Sequence, residues 1–425
     1  MTKTLVVVYD DGAAHPGDIA VGLAGWAGCV FVVPPNRHTL AMAPLLARFG
    51  PVVVAESVSD AAAEVGRHRP DGLVTYAERG LGLAGELAGL LGLPFHDERT
   101  LRCLTDKWHQ RAALRAAGVD VVRCRRIETA ADWPDAVAET GLPAVLKPAH
   151  GGGSRNTYYV EDAETGLELV RRLLAEPAPG LVDGGTLVLE EYLPGRDCGA
   201  FGDYVSIESV VQDGVIADLA VTGKFPMVPP FRETGRFWPS PLGPVETAEV
   251  RELAAAAVSA VGLRTGLSHT EVKLTPAGPR LIEVNGRLGG GINELAVRAR
   301  GINLVEAGGR IALGERVVVP DLYTGRAYFQ VFHPAPRRAG TLVGIEGAEY
   351  VRDLAGVTLY RPYARPGTQF PGGVQTVELD IVMGETADVA DLAPIVAKVE
   401  STLRYRFEFP AGEQHTVAAA ELGAW

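Results

Sequence analysis

The first hundred residues constrain the fold most. Short apolar runs at Leu5–Tyr9, Cys29–Val33, Val52–Val54 and Gly72–Tyr76 alternate with stretches of helical pattern near Leu40–Arg48, Ala61–His68 and Leu81–Leu91. A parallel strand is buried on both faces and so reads as a continuous apolar run; runs separated by helices predict a parallel, doubly wound sheet. No GxGxxG follows the first run, so a dinucleotide site is not indicated. Asp10-Asp11-Gly12 stands at the carboxyl end of that strand and reads either as substrate-facing or as a loop cap.

A helix is expected to start at Thr105-Asp106-Lys107, capped by Thr105 or Asp106, and to close at Gly118. Lys107 then sits in the first turn, where the helix dipole disfavours a cation. An anionic ligand nearby removes that conflict; the alternative is an exposed lysine. Pro143–Pro148 reads as a buried strand carrying one cation, Lys147, and lysine in an apolar strand is seldom left unpaired. Gly151, Gly152, Gly153 and Ser154 follow. Glycines let backbone N–H groups turn toward a phosphate, although alone they also describe a plain flexible loop. Leu187–Leu193 reads as a strand with two adjacent acids, Glu190 and Glu191, one of which must face inward and find a donor such as the amino group of a base. Asp197, just beyond, is suited to a ribose. An edge strand with solvated acids is the bland alternative.

The stretch His269 to Arg287 reads as a β-hairpin. Thr270–Leu274 and Arg280–Val284 flank the turn Pro276-Ala277-Gly278-Pro279. Strand side chains alternate, so Glu283 and Asn285 share a face, and the loop brings Glu271 opposite them. Two carboxylates and an amide oxygen make an all-oxygen site of the kind Mg²⁺ prefers when it also holds phosphates. A solvated hairpin face is the alternative. It weakens because Gly286-Arg287-Leu288-Gly289-Gly290-Gly291 follows at once, a backbone-accessible loop with a fixed cation.

Length and charge narrow the function classes. A chain of 425 residues is expected to hold two or three domains. Its net charge of −12, without a basic tract, argues against a nucleic-acid partner. No apolar run approaches the roughly 20 residues needed to span a bilayer, so no membrane partner is expected. The first strand begins almost at the N-terminus, which reads as mature and cytoplasmic. Cys29, Cys103, Cys124 and Cys198 are scattered without a CxxC, which disfavours a disulfide framework or a zinc site.

Thr-Asp-Lys107, Leu146-Lys147-Pro148, Gly151–Ser154, Glu190 through Asp197, and Glu271…Glu283-Val-Asn285 occur in an order that resembles the ATP-grasp superfamily of carboxylate–amine ligases. The resemblance covers roughly residues 5–314. Within the superfamily the chain looks most like bacterial L-amino-acid ligases and peptide ligases of peptide-antibiotic pathways. That likeness rests on Ser268-His269-Thr270-Glu271, on Asn285 through Gly290, and on the segment from Thr222 to Ser240 containing Lys224.

The resemblance implies a mixed α/β and α+β multidomain fold. Residues 1–100 would be a Rossmann-like domain and 101–314 the ATP-grasp domain, with a mobile lid at about 123–195. It further implies ATP and Mg²⁺, typically two ions that Mn²⁺ can replace. Lys107 and Lys147 would hold the α- and β-phosphates, and Gly152, Gly153 and Ser154 would cover the triphosphate. Glu190 would accept from adenine, with Glu191, Tyr192 and Leu193 along the ring edge and Asp197 on the ribose. Glu271, Glu283 and Asn285 would hold the metal. Arg287 would contact the transferred phosphate and, with the amides around Gly290, the oxyanion; Lys224 and His269 would lie near the γ-phosphate and substrate. The partners implied are a small carboxylic acid and the amine of an amino acid or peptide.

From about residue 315 the pattern changes. Ala327–Phe332, Thr341–Gly344, Val357–Tyr360 and Thr376–Val382 read as strands and Val389–Arg404 as one helix. This predicts a small C-terminal α+β domain over 315–425, which either walls off the amino-acid pocket or mediates a homodimer. Three functions stay in view: amino-acid or peptide ligation, a carboxylase or purine-type ligase with the same nucleotide chemistry, and a non-catalytic ATP-binding module. The intact Glu271, Glu283, Asn285 and Arg287 set argues against the last.

Overall fold

The computed structural model describes residues 2–175, 185–318, 320, 322–410 and 412–425. The four N-terminal runs pair as their pattern predicts. Strands β1 (Lys3–Val8), β2 (Ala27–Val33), β3 (Val52–Val54) and β4 (Gly72–Thr75) form a parallel sheet in the order β3-β2-β1-β4. Val6 and Val8 pack with the helices Val58–Gly66 and Leu81–Leu91 on one face, whereas Leu5 and Val7 join a core that includes Val305 and Ile311 on the other. The helix Pro16–Leu23 escaped the sequence reading. Its glycines blur the helical period, while Pro16 at the first helical position starts it.

A second sheet is antiparallel. It comprises β5 (Cys124–Ile127), β6 (Ala144–Pro148), β7 (Tyr158–Val160) and β8 (Leu187–Glu191) in the order β5-β8-β6-β7. The helices Trp133–Thr140 and Ala163–Ala175 cover its apolar face around Ile127, Trp133, Leu146, Val170 and Leu189. Residues 176–184 of the expected lid lie outside the described residues.

The remaining strands build one large sheet and one small one. They are β9 (Tyr204–Gln212), β10 (Val215–Lys224), β11 (Gly235–Trp238), β12 (Gly266–Thr275), β13 (Gly278–Asn285) and β14 (Ala327–Pro334). They continue with β15 (Gly340–Glu346), β16 (Val357–Pro362), β17 (Gln369–Phe370), β18 (Glu378–Thr386), β19 (Arg404–Phe409) and β20 (Glu413–Ala418). The large sheet runs β13-β12-β9-β10-β11-β14-β18-β16, and the small one β17-β15-β19-β20. Strands from beyond residue 314 thus extend the sheet that carries the hairpin: β14 pairs with β11 through Gly235↔Val331 and Trp238↔Tyr328.

Several element boundaries differ from the sequence reading: β13 begins at Gly278 rather than Arg280, and the helices expected at Leu40–Arg48 and Ala61–His68 run over Arg37–Leu46 and Val58–Gly66. The expected helix Val389–Arg404 opens as a 3₁₀ turn, runs as a helix over Leu392–Thr402, and stops because Arg404 starts β19. The strand expected from Thr376 begins at Glu378. All four cysteines are free. No helix among the described residues is long and apolar enough to cross a membrane.

Candidate active site

The hairpin forms with Glu271 directly opposite Glu283 and His269 opposite Asn285, and a bulge follows Glu271. Like charges facing each other across two strands repel, so each needs a counter-charge. Glu283 has Lys107 Nζ at 3.0 Å, and Glu271 has His269 Nε2 at 3.3 Å. Burial disfavours the Glu271 carboxylate, but His269, Lys224 and Arg287 outweigh it and hold its pKa well below the usual carboxylate range. Asn285 is buried, donates to the His269 carbonyl at 3.3 Å, and accepts at Oδ1 from Arg287 at 3.1 Å. Among the described residues no group of three or more acidic, imidazole or thiol side chains surrounds a common point. The donor set is two carboxylates and an amide oxygen, which suits a hard divalent cation that completes its shell from phosphates and water.

Lys107 opens the helix Lys107–Ala116, whose N-cap Asp106 accepts from the Trp108 and His109 amides at 2.8 and 3.2 Å. Its ammonium also donates to the Gly151 carbonyl, tying the glycine loop to the hairpin. Burial works against the lysine's charge, yet Glu283 and Glu78 raise its pKa above the ordinary value. Gly151 and Gly153 have φ of +100° and +70°, and a Cβ at Gly152 would lie 2.7 Å from Glu78 Oε2. Arg155 closes the loop onto the N-terminal domain through Asp11 at 3.3 Å. Arg287 completes the ring: its Nη2 lies 3.3 Å from Glu78. Gly289 is forced by packing, since a Cβ there would sit 2.4 Å from His269 Nδ1.

Lys147 on β6 and Glu190 on β8 meet at 2.8 Å, and Arg111 grips the same carboxylate with two bonds of 3.1 Å. Despite full burial, Arg111 and Lys147 hold the Glu190 pKa at about 2. Three donors leave about one of its four acceptor positions free. Glu191 turns outward to Arg123 at 3.1 Å, which resolves the two-acid strand as its pattern required. Tyr192 packs edge-on against Tyr159, and Leu193 follows half-buried. Asp197 is exposed and accepts from the Gly199 amide at 2.8 Å.

Lys224 is buried at the end of β10, 3.3 Å from Glu233 and over the Tyr204 ring. His269 is held by Glu208 at 2.9 Å, itself fixed by Ser206 and Thr222 hydroxyls at 2.8 and 3.0 Å. Burial lowers the imidazole pKa, and Glu208 more than reverses this, so His269 carries its proton above the ordinary range.

With the geometry placed, the stretch over residues 140–294 matches the family model described as an ATP-grasp domain. Those residues carry the ATP-grasp match. Its fold is that of a solved L-amino acid ligase from Bacillus licheniformis: TM-score 0.75, 20% identity, 94% of this chain and 98% of that one. Among curated proteins, human carnosine synthase 1 is 30% identical over 65% of this chain and 33% of its own length. The alanine–anticapsin ligase of Bacillus subtilis strain 168 is 31% identical over 44% of this chain and 41% of its own. The matched stretch thus spans well under half of either relative.

Around this ATP-grasp domain, sequence reasoning missed Glu78, Arg111, Glu208 and Arg236, and gave no role to Glu233, which lies in the segment Thr222–Ser240 that carries the resemblance. Glu208 alone carried a signal, an acid in the middle of the otherwise buried run Tyr204–Val211. Glu78 and Arg111 touch the site through contacts distant in sequence, such as Arg287 to Glu78 and Arg111 to Glu190.

Proposed function

We propose that the protein is an ADP-forming ligase that joins a carboxylic acid to the amine of an amino acid or peptide. The observation that carries this reading is the facing pair Glu271 and Glu283, with Asn285 beside them and Lys107 and Arg287 on either side. An ATP-grasp domain and relatives named carnosine synthase 1 and alanine–anticapsin ligase support it.

A carboxylate is a poor electrophile, and phosphorylating it creates a good leaving group. Lys107 and Lys147 neutralise the inner phosphates, and the Gly151–Ser154 loop closes over them and excludes water, to which an acyl phosphate is labile. Glu271, Glu283 and Asn285 would hold Mg²⁺, which neutralises phosphate charge and orients the terminal phosphate. Arg287 faces the charge that develops during transfer. It then stabilises the tetrahedral oxyanion together with the amides around Gly290 as the amine attacks the acyl carbon. The remaining acceptor position on Glu190 suits the adenine amino group, with the Tyr192–Leu193 backbone along the base edge and Asp197 beside the ribose; the Glu191 side chain, held outward by Arg123, does not face the base.

Phosphate release from ATP, measured with a panel of amino acids and short peptides, tests the assignment. The wild type should turn over only when both an acid and an amine are present. Glu283→Gln should keep its fold by circular dichroism and lose turnover; unchanged phosphate release in that variant would overturn the site.

A further inference from the structure

Beyond the acidic hairpin, a second set of polar groups surrounds the last glycine of the 286–291 loop. Arg236 on β11 and Gln330 on β14 are direct cross-strand partners. The glutamine Nε2 donates to the Gly291 carbonyl at 3.0 Å, and a Cβ on Gly291 would fall 2.4 Å from Gln330 Oε1 and 2.6 Å from Arg236 Nη1. Both side chains are buried, at 8% exposure for Arg236 and 1% for Gln330. Both have spare capacity: Arg236 Nε and Gln330 Oε1 have no hydrogen-bond partner among the described residues.

The charge around Arg236 does not balance. Its one ion pair among the described residues, to Glu233 at 3.4 Å, is long, and the same carboxylate also serves Lys224 at 3.3 Å. The other nearby acid, Glu378, is pushed up by burial, toward its neutral form. The face of the Phe332 ring lies 5.1 Å from the guanidinium and supplies only a cation–π contact. A buried guanidinium with five donors and half a counter-ion is costly to the apo protein unless a ligand completes it.

We infer that Arg236 holds the free carboxylate of the incoming amine substrate, so that the acceptor is an amino acid or peptide rather than a simple amine. The reading rests on the proposed ligase reaction. Arg236 reaches the loop at Gly290 and Gly291, three and four residues beyond Arg287. A planar carboxylate matches the forked donors of arginine. A site built to bind such a group rejects an analogue that lacks it, because its donors are then left unpaired.

Three acceptors separate the outcomes, each tested with whichever acid of the panel supports phosphate release: L-alanine, L-alaninamide, and hydroxylamine, which has no carboxylate and traps an acyl phosphate as hydroxamate. The wild type should prefer L-alanine over L-alaninamide. In Arg236→Gln that preference should fall at least about tenfold, and the ratio of hydroxamate to alanine adduct should rise by a similar factor. Arg236→Lys should recover part of the preference. An unchanged alanine-to-alaninamide preference in Arg236→Gln would overturn the inference, as would equal loss with all three acceptors, the mark of a merely structural arginine. No hydroxamate from the wild type with any acid would instead overturn the ligase reading beneath it.

Discussion

Three donors converge on Glu190, and its surroundings predict how it fails. Removing the carboxylate strands Arg111 and Lys147 as two buried cations, 5% and 10% exposed. Breaking a buried pair in this way costs about 3–5 kcal/mol. Glu190→Gln should therefore unfold at lower denaturant, a loss read from equilibrium urea curves. The sign of the pH dependence follows from a folded pKa of about 2 against an ordinary 4.5. The group's contribution is fully present above pH 4.5 and is lost as pH falls toward 2. The variant should show a shallower acid limb of stability, and parallel limbs in both proteins would contradict the pairing. Arg287 predicts a kinetic effect instead, since its partner charge appears during transfer. Arg287→Ala should lose about a hundredfold or more in kcat with little change in ATP affinity. Part of this was legible in the sequence. A lone lysine in the apolar run Ala144–Pro148 and an inward acid in Leu187–Glu191 each demanded a partner, and they found one another. Arg111, the third member, gave no such signal, because an arginine on an amphipathic helix reads as solvated.

The hairpin and the glycine loop were the most legible elements. The two-residue turn Pro276-Ala277 sets Val272 opposite Leu281, and the bulge between Val272 and Glu271 then places Glu271 opposite Glu283. The glycine loop was legible as backbone-accessible, but its anchors were not. Asp11, Glu78 and Lys107 approach it from three separate elements. Those anchors make a concrete prediction about closure. Trypsin should cut after Arg155, and ATP with Mg²⁺ should slow that cut as the loop closes on the phosphates. Equal cleavage rates with and without nucleotide would count against a lid role. The loop 286–291 predicts a steric effect as well. Gly291→Ala places a methyl against Gln330 and Arg236 at φ +69°, and should lower activity and stability together.

At the scale of the molecule, the N-terminal sheet was legible because parallel strands are continuous apolar runs, whereas the destination of the C-terminal strands was not. Alternation identifies a strand but not its neighbour, and β14, β18 and β16 complete the same sheet as the hairpin rather than a separate one. Buried contacts cross residue 314: Arg232, fully buried, donates to the Ala335 carbonyl at 2.7 Å and the Gly423 carbonyl at 3.3 Å. A chain ending at 314 would leave that guanidinium and the β11 edge uncovered, and should elute as aggregate in gel filtration while the full chain does not. The central claim is that a carboxylate is activated by transfer of the terminal phosphate of ATP, and isotope transfer tests it most directly. The carboxylate oxygen attacks the terminal phosphorus and ADP leaves. The amine then attacks the acyl carbon, and the C–O bond breaks, carrying that oxygen away in phosphate. With an acid labelled in both carboxylate oxygens with ¹⁸O, the account predicts ADP and phosphate bearing one ¹⁸O in step with amide formation. Unlabelled phosphate, or AMP as the nucleotide product, would contradict it.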